Sequence, residues 1–160
     1  MGTTVFIVAD VTLGAVDQYF LGNGSPQANV WLTANGAVMR FNRRNPTTNT
    51  VEQINVNLSP VVSTGLRIYE IEFLPGVPAS NGQTSGGSIN VRVNGVLRGT
   101  AAHPYPEFRT WNFAAGQNPA NGNGLVAKVS DIVSLIQGGD YATRVPIIRQ
   151  RLNDIYSVGL

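Results

Sequence analysis

The sequence predicts an α+β fold in which antiparallel strands come first and two α-helices close the chain. Three observations point there. Asn-Gly, favoured at type I′ hairpin turns because both central residues take positive φ, occurs at 23-24, 35-36, 81-82, 94-95, 121-122 and 123-124. Between these turns lie segments of apolar/polar alternation, the period of a half-buried strand. Beyond residue 123 the spacing changes, with Val129, Ile132, Val133 and Ile136 at i, i+3, i+4 and i+7, which places them on one helical face.

Taken in order, residues 4–11 and 16–21 form an opening pair of strands. Residues 28–41 make a hairpin around Asn35-Gly36, whose two-residue turn pairs 34 with 37, 32 with 39, 31 with 40 and 30 with 41. Val30, Leu32, Met39 and Phe41 then face the core, while Trp31, Thr33 and Arg40 share the other face, the guanidinium beside the indole. Ile54, Val56 and Leu58 alternate with Gln53, Asn55, Asn57 and Ser59, a strand with one wet face. After a turn over 59–65, the strand 66–74 sets Tyr69, Ile71 and Phe73 against Ile68, Glu70 and Glu72. Residues 75–87 read as a loop. A second hairpin turns at Asn94-Gly95, the Pro-rich stretch 101–107 is excluded from a central strand, and 108–113 is the last strand before the helices. The first helix carries the 129–136 stripe and stops at Gly138-Gly139. The second runs from about Thr143 to Ser157, with Pro146 in its first turn and Ile148, Leu152 and Ile155 on its apolar face.

A length of 160 residues fits one domain, 1–160, divided into a β region at 1–114, with an extended loop and hairpin at 76–107, and a helical region at 123–160. Hydrophobic residues make up 42% and charged ones 12%, which excludes a disordered or solvating chain. No apolar run approaches the roughly 20 residues of a membrane span, and residues 1–4 lack the basic region of a signal peptide. With no cysteine and one histidine, His103, disulfides, thiolate chemistry and most zinc or triad sites are excluded, so the chain is not expected to be an enzyme or to hold a cofactor. Net charge is +2, but ten of the eleven cations are Arg, which suits phosphate or rigid interfaces.

At this point the residues carry a resemblance. Gln53 to Ser59, a short polar turn, then Arg67-Ile68-Tyr69 through Leu74-Pro75 resemble the paired central strands of the coat proteins of small single-stranded RNA bacteriophages. Arg109-Thr110-Trp111-Asn112 is similar to their final strand, and two C-terminal helices ending near Tyr156 complete the order. The resemblance implies an N-terminal β-hairpin, an antiparallel sheet of about five strands and two helices that pack on a partner subunit's sheet in an intertwined dimer. Ile132, Ile136, Ile148, Leu152 and Ile155 would lie in that dimer interface. It further implies a structural coat protein, made in a host bacterial cytoplasm and residing in the virion. Dimers would assemble into an icosahedral shell around single-stranded genomic RNA, with an RNA hairpin as a further target in translational repression. Neither a membrane nor a small-molecule substrate is a partner on this reading.

Departures accompany the match. Glu70 and Glu72 stand where the family places hydroxyl and Lys side chains, and carboxylates repel phosphate. RNA contacts are therefore assigned to Arg40, Arg43, Arg44 and Arg109, with Asn55 and Asn57 on the same matched face and Trp111 as a stacking surface. Each has a plainer reading: Arg43-Arg44 as a solvated turn, Trp31 with Arg40 as a structural pair, Glu70 and Glu72 as a solvated strand face, His103 as a loop residue. Two other functions fit the composition: a different virion component, such as a tail or decoration protein, and a β-sandwich carbohydrate-binding module with exposed Trp31 and Trp111 as ring platforms.

Overall fold

The computed structural model describes residues 2–14, 16–22, 28–44, 50–78, 84–102, 114–115, 128–136 and 138–160. In chain order the elements are β1 (Thr3–Val11), β2 (Gln18–Gly22), β3 (Ala28–Leu32), β4 (Val38–Arg44), β5 (Val51–Asn57), β6 (Gly65–Leu74), β7 (Val77–Pro78), β8 (Thr84–Ser85), β9 (Ser88–Val93), β10 (Val96–Ala102), β11 (Ala114–Ala115), β12 (Lys128–Ile136) and α1 (Tyr141–Tyr156). Two five-stranded antiparallel sheets, ordered β10-β9-β6-β1-β12 and β11-β2-β3-β4-β5, pack face to face, and β7 and β8 form a short ladder of their own. Among the described residues the fold is therefore a β-sandwich with one external helix, not one sheet followed by two helices.

The core is built from the inward-pointing residues of both sheets, as alternation requires. Val5, Ile7, Tyr69, Ile71, Phe73, Ile89 and Val91 meet Phe20, Leu21, Val30, Leu32, Met39, Phe41 and Val56. Phe20 lies 4.7 Å from Tyr69, and Phe41 meets Phe73 edge-on at 5.8 Å. The inward faces expected at 54–58 and 69–73 are found, with Val56, Leu58, Tyr69, Ile71 and Phe73 buried and Ile54 partly so, but Ile68 and Glu70 on the other face of β6 are buried as well.

The strands are nevertheless shared out differently. β1 and β2 belong to different sheets: β1 sits between β6 and β12, while β2 pairs with β3. β5 pairs with β4 and β6 with β1 and β9, so the segments read as paired central strands lie in opposite layers. Central position explains why β1 carries the continuous apolar run Val5-Phe6-Ile7-Val8-Ala9: one face meets the other sheet and the opposite face meets α1.

Residues 128–136 are a strand, so the first of the two expected helices, and with it a helical region over 123–160, is corrected. β12 pairs with β1 along its length, with a register shift that leaves Ser130 as the extra residue of a β-bulge. Across the bulge Val129 and Ile132 both reach the sandwich core, and Val133, next in the chain, points to the α1 side. A bulged strand covered on both faces thus reproduces an i, i+3, i+4 spacing, and four of its five apolar residues are β-branched types that suit strands.

Helix α1 is the second expected helix, starting two residues earlier, so Pro146 sits inside it rather than in its first turn. It lies on the outer face of the β1/β6 sheet, where Leu152 and partly buried Val145, Ile148 and Tyr156 cover Phe6, Val8 and Ile68. Ile155, expected on its apolar face, is 68% exposed.

The 28–41 hairpin keeps its expected register, Val30↔Phe41, Trp31↔Arg40 and Leu32↔Met39. Its turn is wider than two residues: Thr33 N–H donates to Val38 O and Gly36 N–H to Thr33 O, with Asn35 Oδ1 accepting from Ala37 N–H. Only Gly36 takes positive φ there. The second hairpin has the expected form, Asn94 and Gly95 both at positive φ between Val93 and Val96.

Candidate ligand-binding face

The outer face of the second sheet gathers the polar and aromatic residues of β2 to β5. Cross-strand register places Tyr19, Trp31, Arg40 and Asn55 side by side in one row. In the next row Asn29, Asn42 and Gln53 are neighbours. Three inter-strand spacings of about 4.8 Å make the first row about 14 Å long, the reach of a short oligomer. This placement follows from period two: once Val30, Leu32, Met39, Phe41 and Val56 face the core, the residues between them must face out.

Tyr19 stacks on Trp31 with ring centroids 5.5 Å apart and planes inclined by 16°. Trp31 is 6% exposed, so it backs Tyr19 and is not the exposed ring platform expected of it. Arg40 approaches Asp17 at 3.9 Å, and the Asp17 carboxylate also accepts from Ala34 N–H at 2.9 Å. Burial first, then the Asp17 carboxylate, push the Tyr19 hydroxyl above its usual value, while Arg40 pulls it down. At the sheet edge Gln53 donates to Asn55 at 2.8 Å, and Asn57 is exposed beyond them. Four atoms of the two rows, Trp31 Nε1, Arg40 Nε, Asn29 Oδ1 and Asn42 Oδ1, are buried with no partner among the described residues.

Of the residues assigned to RNA, this face brings together Arg40, Asn55 and Asn57. Arg43 and Arg44 end β4, in register with Glu52 and Val51, and their side chains lie outside the described residues, as do Arg109, Trp111 and His103. Asn29 and Asn42 went unassigned although they stand two positions along from Trp31 and Arg40 in a hairpin of known register. Tyr19 and Asp17 needed the β2–β3 pairing, which the expected opening pair of strands displaced.

The candidate dimer residues separate. Leu152 and Ile148 pack on this chain's own sheet, Ile132 packs against its own sandwich core, and Ile136 and Ile155 are 66% and 68% exposed. The helix that was to cross onto a partner covers its own subunit.

Glu70 and Glu72 are not a solvated strand face. Glu70 is 2% exposed and accepts from Arg149 Nε at 2.7 Å and Nη2 at 2.9 Å. Glu72 accepts from Asn90 at 2.9 Å and Arg92 at 3.5 Å, and the Tyr141 hydroxyl bonds Thr4 beside it. Both carboxylates are paired under and beside α1. Among the described residues no group of three His, Cys, Asp or Glu side chains could hold a metal, and no helix is long and apolar enough to cross a membrane.

No protein-family model matches the chain, and no curated protein matches it. Among solved structures it is similar to a chain from work on how botulinum neurotoxin type C gets into cells, which depends on interaction with two ganglioside molecules. The TM-score is 0.54 at 10% sequence identity, over 94% of this chain and 36% of that one. At that identity the likeness concerns the fold: a β-rich unit that makes up about a third of the larger chain.

Proposed function

We propose that this chain is a non-catalytic β-sandwich module that binds carbohydrate on the outer face of β2 to β5. The observation that carries the reading is the row Tyr19, Trp31, Arg40 and Asn55, a stacked aromatic pair continued by a guanidinium and an amide along one sheet face. Sugar recognition needs an apolar ring face next to fixed hydrogen-bonding groups; Tyr19, backed by Trp31, offers the ring, and Arg40 and Asn55 the polar groups, on rigid strands. The ganglioside of the structural neighbour belongs to that protein, and the similarity lends this chain its architecture alone. The test is a glycan array followed by calorimetry with the wild type and Asn55→Ala, with binding expected and weakened by the substitution.

The RNA-container reading needs one sheet capped by a partner's helices. Here the strands it pairs lie in different layers and the helix caps its own sheet. Particle sizing of the chain expressed alone separates the two: a small soluble species agrees with the module, and closed shells holding nucleic acid would overturn it.

A further inference from the structure

We infer that the ligand of this face is an uncharged, hydroxyl-rich saccharide, held by Asn29, Trp31, Arg40 and Asn42; the inference rests on the carbohydrate-binding reading. These four residues occupy two adjacent cross-strand positions of β3 and β4, Asn29 opposite Asn42 and Trp31 opposite Arg40. Each has a buried polar atom without a partner among the described residues: two donors, Trp31 Nε1 and Arg40 Nε, and two acceptors, Asn29 Oδ1 and Asn42 Oδ1. Asn29 and Trp31 are 5% and 6% exposed, so water does not serve them freely. Arg40 keeps 36% of its side chain exposed, although its Nε is buried like the other three atoms.

The mixture of donors and acceptors selects the ligand. A hydroxyl both donates and accepts, so vicinal hydroxyls can serve the indole, the guanidinium and the two amides together. A phosphate or carboxylate only accepts; it would suit Trp31 and Arg40 but set oxygen against the Asn carbonyls. The contrast rests on each amide turning Oδ1, and not Nδ2, to the buried position. Charge at Arg40 is offset by Asp17 beside it, and the β5 residues of the face, Gln53, Asn55 and Asn57, are neutral; Arg44, two positions on from Asn42, has its side chain outside the described residues.

Calorimetry with neutral oligosaccharides (gluco-, manno- and galacto-series), with acidic ones (oligogalacturonate, heparin fragments) and with single-stranded RNA tests this. Neutral oligosaccharides are expected to bind, with affinity unchanged between about 50 mM and 0.5 M NaCl, because screening acts only on charge. Trp31→Phe, which keeps the ring and removes the donor, and Asn42→Leu are each expected to weaken binding about tenfold, the size of one lost hydrogen bond. Circular dichroism establishes that each variant is folded. Binding confined to acidic oligosaccharides, or affinity that falls steeply with salt, overturns the neutral-ligand inference and leaves the carbohydrate reading standing. Binding to RNA alone, or to no saccharide of either kind, overturns both.

Discussion

Arg149 of helix α1 grips Glu70 of strand β6 with two guanidinium nitrogens, Nε at 2.7 Å and Nη2 at 2.9 Å, across 79 residues of sequence. Glu70 is 2% exposed, so this forked pair joins the helix to the sheet at a buried point. Removing Arg149 leaves the buried Glu70 carboxylate with Arg92, 4.0 Å away, beside it. Arg149→Leu is expected to cost about 3 kcal/mol in urea unfolding, and the double variant Glu70→Leu/Arg149→Leu to recover most of the loss. Equal stability of the single and double variants would contradict the pairing.

The bulged strand β12 makes unequal demands on its isoleucines. Ile132 packs against the core and Ile136 is 66% exposed. Ile132→Ala is expected to cost about 2–3 kcal/mol and Ile136→Ala less than about 0.5 kcal/mol. A helix buried against a partner subunit would make both costly, and concentration-dependent unfolding would accompany them.

Gly99 lets β10 pass close to β5. A Cβ there would collide with the Asn57 carbonyl oxygen and come 2.8 Å from Val56 Cγ1. Gly99→Ala is expected to lower stability by about 1–3 kcal/mol, the usual cost of overpacking. Gly86, whose added Cβ meets nothing within 4 Å, has positive φ, so Gly138→Ala, with open space and no such φ, is the matched control and is expected to be neutral.

Tyr69 is fully buried against Phe20, and its hydroxyl has no partner among the described residues. Burial pushes that hydroxyl far above its ordinary value, against a smaller lowering by Arg67. The folded state therefore holds the proton that the unfolded state releases near pH 10. Stability is fully present below that pH and is lost as pH rises beyond it. Tyr69→Phe is expected to match wild type or exceed it by about 1 kcal/mol at pH 7, because a buried hydroxyl without a partner costs desolvation, and to lose less stability between pH 9 and 11. Melting temperatures across that range check both halves.

Local pairing was legible in the sequence where turn chemistry and period two agreed. The Asn94-Gly95 hairpin and the register that puts Trp31 opposite Arg40 follow from both. The division of strands between two layers was not, because alternation tells which side of a strand is buried and not which sheet it joins. β12 misled because Ser130 shifts the period by one, bringing Val129 and Ile132 to the same face. Glu70 read as wet because its partner lies far along the chain on a helix expected to cover another subunit. The candidate face was half legible: Arg40, Asn55 and Asn57 follow from hairpin register and alternation, whereas Tyr19 depends on a long-range pairing of β2.

The most direct measurement is calorimetric titration of the purified wild-type chain with a neutral oligosaccharide taken from a glycan array, repeated with Trp31→Phe. The account predicts saturable, salt-insensitive binding that weakens about tenfold in the variant. No binding to any saccharide, or equal binding by a folded Trp31→Phe protein, would contradict the assignment of the β2 to β5 face.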